Sequence, residues 1–114
     1  MYREAISAYQ EAIRLGDDSP SLQVFLGEAF AKSGEREKAQ TILEQLKTSK
    51  DYVSPAELAV LYASLGDREQ AFAFLEKAFV ARDVQLQYLG VDPSFDPLRS
   101  DPRFQDLLQR VGLG

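Results

Sequence analysis

The amino-acid sequence predicts an all-α fold built of stacked antiparallel helical hairpins, and three observations carry that prediction. The phrase Gly34-Glu35-Arg36-Glu37-Lys38-Ala39 returns 32 residues later as Gly66-Asp67-Arg68-Glu69-Gln70-Ala71, and a fragment of a third copy, Tyr2-Arg3-Glu4-Ala5, opens the chain. Self-similarity at about this period marks helical repeats that bury their apolar faces only by stacking on neighbours. Apolar residues also recur at helical spacing through most of the chain, whereas β-branched runs and period-2 alternation are missing.

Taken in order, the pattern gives seven helical pieces. The first spans 2–15, with Ala5, Ile6, Tyr9, Ala12 and Ile13 on one face, and Gly16-Asp17-Asp18 stops it. Ser19 and Pro20 start the second, at 20–33, as N-cap and first helical residue; it carries Leu22, Phe25, Leu26, Ala29 and Phe30 and ends at Gly34. The third, at 35–48, carries Ala39, Ile42, Leu43 and Leu46, and a polar loop from Lys47 to Asp51 follows. Ser54-Pro55-Ala56-Glu57 reads as a capping box opening a helix at 54–65, with Leu58, Leu61, Tyr62 and Leu65. Gly66 closes it, and a fifth helix runs over 67–81 through Ala71, Phe72, Leu75, Ala78 and Phe79. A short helix at 84–89 leads into the proline-punctuated stretch around Pro93 and Pro97. Asp101-Pro102 caps the last helix, at 102–111, whose apolar stripe is Phe104, Leu107, Leu108 and Val111.

Composition narrows the function. The 114 residues suffice for one domain, and 45% apolar with 27% charged residues is an ordinary soluble balance. A net charge of −5 with no compensating basic cluster argues against nucleic acid and against anionic membrane surfaces. No apolar run is long enough to span a bilayer and no signal peptide is visible, so a cytoplasmic location is expected. Without Cys, disulfides and thiolate metal sites are excluded. Without His, the commonest neutral-pH base and metal ligand is gone, so catalysis would rest on carboxylates, Lys or Tyr. No cofactor is expected.

The repeated positions resemble the tetratricopeptide repeat. Gln23, Leu26, Gly27, Phe30, Ala39 and Leu43 follow its pattern in one unit, and Pro55, Leu58, Ala59, Tyr62, Ala71 and Leu75 in the next; the opening helix supplies the second half alone, as Ala5 and Tyr9. Small residues stand where the two helices of a hairpin cross, and large ones fill the volume between crossings. The sequence departs from the pattern in lacking Trp and the terminal Pro, where Asp17, Asp51 and Asp83 stand. The resemblance implies a right-handed α-solenoid: a half repeat at 1–17, repeats at 20–51 and 52–83, and a capping segment at 84–114. The segment from Asp92 to Phe104 looks like the end cap of bacterial multidomain proteins of this type, with Phe95, Leu98, Phe104, Leu107 and Leu108 hiding the last apolar face. Because the chain opens on the second helix of a hairpin, it is expected to be the C-terminal part of a longer polypeptide.

The resemblance further implies a non-catalytic module that binds a peptide or protein on the concave face lined by the first helix of each hairpin. By position that face holds Val24, Glu28, Ala31 and Lys32, with Ser21 beside them, and Ala56, Val60, Ala63 and Ser64, with Val53 beside them. Small residues there serve equally to let helices approach. The Lys and Asn that clamp a C-terminal carboxylate in one variant of this groove are replaced by Glu28 and Val60. Glu28 and Lys32, four apart in the favourable order, read as a surface ion pair. Asp92, Asp96 and Asp101 lack calcium-loop spacing and read as turn and cap residues, so no metal is assigned. Tyr52, Tyr62 and Tyr88 read as core or edge aromatics. The alternative to peptide binding is self-association, a homodimer in the simplest case, through an uncovered face of the first helix formed by Ile6, Tyr9 and Ile13. A small enzyme is the remaining alternative.

Overall fold

A computed structural model of the chain describes residues 2–17, 19–49 and 53–112. Asp18, Lys50, Asp51, Tyr52 and Leu113, on which some turn, loop and aromatic assignments fell, lie outside the described residues. Those residues hold six α-helices, two 3₁₀ helices and no strand. Backbone contacts group the chain into two compact units, 1–53 and 54–114.

The first unit contains α1 (Tyr2–Arg14), α2 (Pro20–Lys32) and α3 (Arg36–Lys47), with α2 packed on both its neighbours. The small residues Gly27 and Ala39 are buried, as are the large Leu26, Phe30 and Leu43. This is the alternation that lets two helices cross closely without leaving voids. Ala5 and Tyr9 of α1, the matching residues of the half repeat, are only half-buried.

The second unit contains α4 (Pro55–Ser64), α5 (Arg68–Val80), the 3₁₀ helices η1 (Val84–Tyr88) and η2 (Pro93–Leu98), and α6 (Pro102–Arg110). Helix α4 is apolar around most of its circumference, with Ala56 and every residue from Leu58 through Ala63 buried, as befits a helix covered on several sides. It packs on α5 and on both 3₁₀ helices. The proline-punctuated stretch around Pro93, which the sequence reading did not assign to a helix, forms a 3₁₀ helix; Pro93 takes the first position, where its missing N–H costs nothing, and Pro97 lies within it. Phe95, Leu98, Phe104, Leu107 and Leu108 are all buried.

Three helix ends share one turn, and a fourth builds it with a different residue. At Gly16, Gly34 and Gly66 the chain turns left-handed, and the next residue's N–H reaches back five residues to a helix carbonyl: Asp17 to Ala12, Glu35 to Phe30 and Asp67 to Tyr62, at 2.9–3.0 Å. At the end of α5 the same bond joins Asp83 to Ala78 at 2.9 Å, but the left-handed residue is Arg82, with φ +55°. An L side chain there costs about 1–2 kcal/mol that glycine avoids.

The capping box expected at Ser54 is not what holds the start of α4. The Ser54 hydroxyl makes no cap bond and instead donates to the Asp83 carboxylate, 29 residues away. The same carboxylate oxygen accepts from the Ala56 N–H at 3.3 Å, and the other oxygen from the Gln85 N–H at 3.0 Å. A local cap is displaced here by a carboxylate that closure of the hairpin delivers. Asp83 therefore fastens the entry of α4, the exit of α5 and the start of η1 at one point.

Candidate functional site

Of the eight residues assigned to a peptide surface, five are buried: Val24 and Ala31 on α2, and Ala56, Val60 and Ala63 on α4. Glu28, Lys32 and Ser64 keep solvent access. Ser64 is half-buried and its hydroxyl donates to the Leu61 carbonyl at 2.8 Å, so it offers mainly acceptor capacity. The polar character of this set resides in Glu28 and Lys32.

These two form the expected i,i+4 ion pair, with Lys32 Nζ 3.0 Å from Glu28 Oε2. The pair is less superficial than its spacing alone implies, because the Glu28 side chain is only 12% exposed. Oε2 is fully covered, and among the described residues no hydrogen-bond donor is aligned on it. A lysine ammonium is a point charge that neutralises the carboxylate without supplying a planar pair of bonds. The arrangement sets a nearly covered carboxylate and a more open ammonium side by side on α2, next to the buried Val24 and Ala31.

The set assigned to self-association is also redistributed. Ile6, expected to be uncovered, is buried, since α1 turns this side of itself toward α2. Tyr9 is half-buried and stacks on Phe25 of α2 with ring centroids 6.1 Å apart, and Ile13 is half-buried. Phe25, read from its spacing as part of the apolar stripe of α2, is 50% exposed. It extends the aromatic surface that Tyr9 begins.

The tail supplies contacts that sequence reasoning missed. Arg103 Nη1 bonds Glu69 at 3.0 Å and Arg110 Nη1 bonds Glu76 at 2.9 Å, both across a separation of 34 residues. The equal offsets mean that α6 runs parallel to α5, one repeat further on, with η1 and η2 in the place of that repeat's first helix. Each guanidinium also lies over an α5 ring, Arg103 at 4.4 Å from the Phe72 centroid and Arg110 at 5.1 Å from Phe79. The Arg110 guanidinium holds the Glu76 carboxyl below the usual carboxylate range. Arg103, through its side chain and then its backbone N–H, brings Asp101 down to about 2. Arg99 bonds the carbonyls of Gly90 and Asp92 at 3.1 and 2.9 Å, tying the end of η2 to the link that joins η1 to it.

The three tail aspartates have local duties. Asp92 and Asp101 cap η2 and α6 by accepting from Ser94 N–H and Arg103 N–H, each at 2.9 Å, and Asp96 pairs with Arg99. Among the described residues no cluster of His, Cys, Asp or Glu converges as a metal site. Tyr62 is buried and stacks on Phe74 at 5.2 Å, whereas Tyr88 is half exposed.

Comparison with known families matches residues 1–51 to the Tetratricopeptide repeat, and residues 56–79 to it again. The chain belongs to the tetratricopeptide repeat family. No curated protein and no solved structure matches this tetratricopeptide repeat protein. Repeats of the family generally mediate protein–protein interactions and are typically non-catalytic. No helix among the described residues is long and apolar enough to cross a membrane.

Proposed function

We propose that this tetratricopeptide repeat protein is a non-catalytic interaction module that holds a peptide segment of a protein partner against the first helix of a hairpin. In the first unit Glu28 and Lys32 make the polar contacts, on α2. The observation that carries this reading is the Glu28–Lys32 ion pair, a nearly covered carboxylate and a more open ammonium set beside the buried Val24 and Ala31 of α2. A partner's donor would be drawn to the part of the carboxylate that stays exposed, and an acceptor to the Lys32 ammonium. Buried Val24 and Ala31 shape α2 beneath this surface and are not themselves contacts.

The test is a phage-displayed peptide library selected on the immobilised protein, with the affinity of the recovered peptides measured by calorimetry. Glu28→Ala removes a charge-assisted bond and should weaken them by about ten- to a hundredfold, with Glu28→Gln intermediate. Peptides that bind Glu28→Ala as tightly as the parent would refute the assignment.

A second reading, self-association, is favoured by the exposed Phe25 stacked on the half-buried Tyr9, and by the exposure of Tyr2 and Leu15 in the same unit. Light scattering across a concentration series decides it. A dimer that dissociates in Phe25→Glu supports this reading, and a monomer at every concentration removes it.

A further inference from the structure

Helix α1 is the counterpart of α5 without the helix that covers α5. Both run for 13 residues, Tyr2–Arg14 and Arg68–Val80, and at one constant spacing Ala5, Tyr9, Ala12 and Asp17 answer to Ala71, Leu75, Ala78 and Asp83. Their ends turn alike, with the Asp17 N–H reaching the Ala12 carbonyl at 3.0 Å and the Asp83 N–H the Ala78 carbonyl at 2.9 Å. Their surroundings differ. Ala71, Leu75 and Ala78 are 0% exposed, with α4 packed on α5, whereas Ala5, Tyr9 and Ala12 are half-buried. Helix α1 packs on α2, and among the described residues nothing stands in the place that α4 takes on α5.

The two aspartates show the same difference atom by atom. In each, Oδ1 accepts from the N–H two residues on, Ser19 for Asp17 and Gln85 for Asp83, both at 3.0 Å. Oδ2 of Asp83 grips the entry of α4, accepting from the Ser54 hydroxyl and from the Ala56 N–H at 3.3 Å. Oδ2 of Asp17 accepts from nothing among the described residues, and Asp17 is exposed. The half of the clamp that steadies the chain's own turn is made, and the half that grips a helix entry is open. A helix N-terminus, with unsatisfied N–H groups and the positive end of its dipole, is the electrostatic complement of a carboxylate so placed.

We propose that α1 docks a helix of a partner protein, laid antiparallel across Ala5, Tyr9 and Ala12 as α4 lies on α5, with its first turn held by Asp17 Oδ2. The chemistry of the occupant follows from α4: an apolar side with small residues where the two helices cross, and a Ser or Thr at the N-cap whose hydroxyl is free to donate to Asp17. A second copy of the chain has no such helix to lend. Helix α2 is packed on both its neighbours, and α4 is buried around most of its circumference. The docking seam uses neither Glu28 nor Lys32, and it stands or falls independently of the peptide surface on α2.

The test titrates ¹⁵N-labelled full chain with an N-acetylated peptide of residues 53–66, the α4 segment with its N-cap Ser54, extended by Lys-Glu-Lys-Glu for solubility. Saturable shifts are expected in the amide resonances of residues 2–17, and none from a scrambled peptide of the same composition. Asp17→Ala should weaken binding about fivefold, the size of a lost N-cap, and a Ser54→Ala peptide should weaken it by a similar factor. Combined, the two changes should weaken it little further than either alone, because each removes the same bond. Ala5→Leu, which blocks the crossing, should abolish binding with helical circular dichroism unchanged, and Glu28→Ala should leave binding as it is. The proposal is overturned if millimolar peptide leaves residues 2–17 unmoved, if the scrambled peptide binds as well, or if the Asp17 and Ser54 losses simply add. Shifts centred on residues 68–83, where the peptide would be displacing α4, would also overturn it. So would a dimer of the chain alone in light scattering that dissociates in Ala5→Leu, since the seam would then belong to a second copy.

Discussion

Asp83→Ala tests the part this carboxylate plays in the fold. It removes the acceptor for the Ser54 hydroxyl, the Ala56 N–H and the Gln85 N–H together. The three losses are unequal. Ser54 is 8% exposed, so its hydroxyl is left without water, and a buried donor stranded in this way costs about 1–3 kcal/mol. The Ala56 bond is long, at 3.3 Å, and stands in for an N-terminal cap worth about 1 kcal/mol. Gln85 is exposed, and its N–H turns to solvent at little cost. Together these give about 2–4 kcal/mol, a large share of the roughly 5–15 kcal/mol that holds a domain. Urea unfolding followed by circular dichroism measures it as a lower midpoint with an unchanged slope. Ser54→Ala should be milder, and the double variant should cost less than the sum by about 1 kcal/mol, because each residue's loss already strands the other. A cost for Asp83→Ala below about 0.5 kcal/mol, the range of an unremarkable surface change, would refute the claim that this carboxylate fastens the hairpin.

Two further predictions concern the tail. Arg110 and Glu76 are 36% and 51% exposed, so their coupling in a double-mutant cycle should be about 0.2–1 kcal/mol at low salt and should shrink toward zero near 1 M salt; a salt-independent coupling would contradict an exposed ion pair. Asp101 should titrate near 2 in the folded protein, so its contribution to stability is complete above the unfolded value of about 4 and disappears as pH falls through 2; carboxyl ¹³C NMR should show the midpoint rising in Arg103→Ala, and a fixed midpoint would deny Arg103 its role.

The helices and the crossing residues were legible in the sequence because they obey local rules. Gly27, Ala39, Ala59 and Ala71 are small where a neighbour comes close, and glycine stands where the chain turns left-handed. Three features were not legible, each for a physical reason. The capping of α4 was misassigned to Ser54 because a carboxylate 29 residues away is invisible to a local motif. The parallel register of α6 on α5 shows in arginine–glutamate and arginine–phenylalanine pairs whose 34-residue offset carries no apolar signature. The candidate binding face was overdrawn because α4 is apolar nearly all round, and periodicity cannot tell a side that faces a neighbour from a side that faces a groove. Glu28 emerged as the residue of interest only from its burial, which an i,i+4 spacing does not reveal.

The register of α6 on α5 has one more implication, for assembly. Helix α6 meets the core through Phe104, Leu107 and Leu108, and turns Gln105, Asp106, Gln109 and Arg110 to water. A following hairpin would need an apolar seam to settle against, and α6 presents amides and charges instead. Head-to-tail stacking of copies onto this helix is thereby discouraged, and a contact that would propagate as an open fibre is stopped at one end. The substitution that converts this outer face to leucine, at Gln105 and Gln109, is the change that would remove the stop.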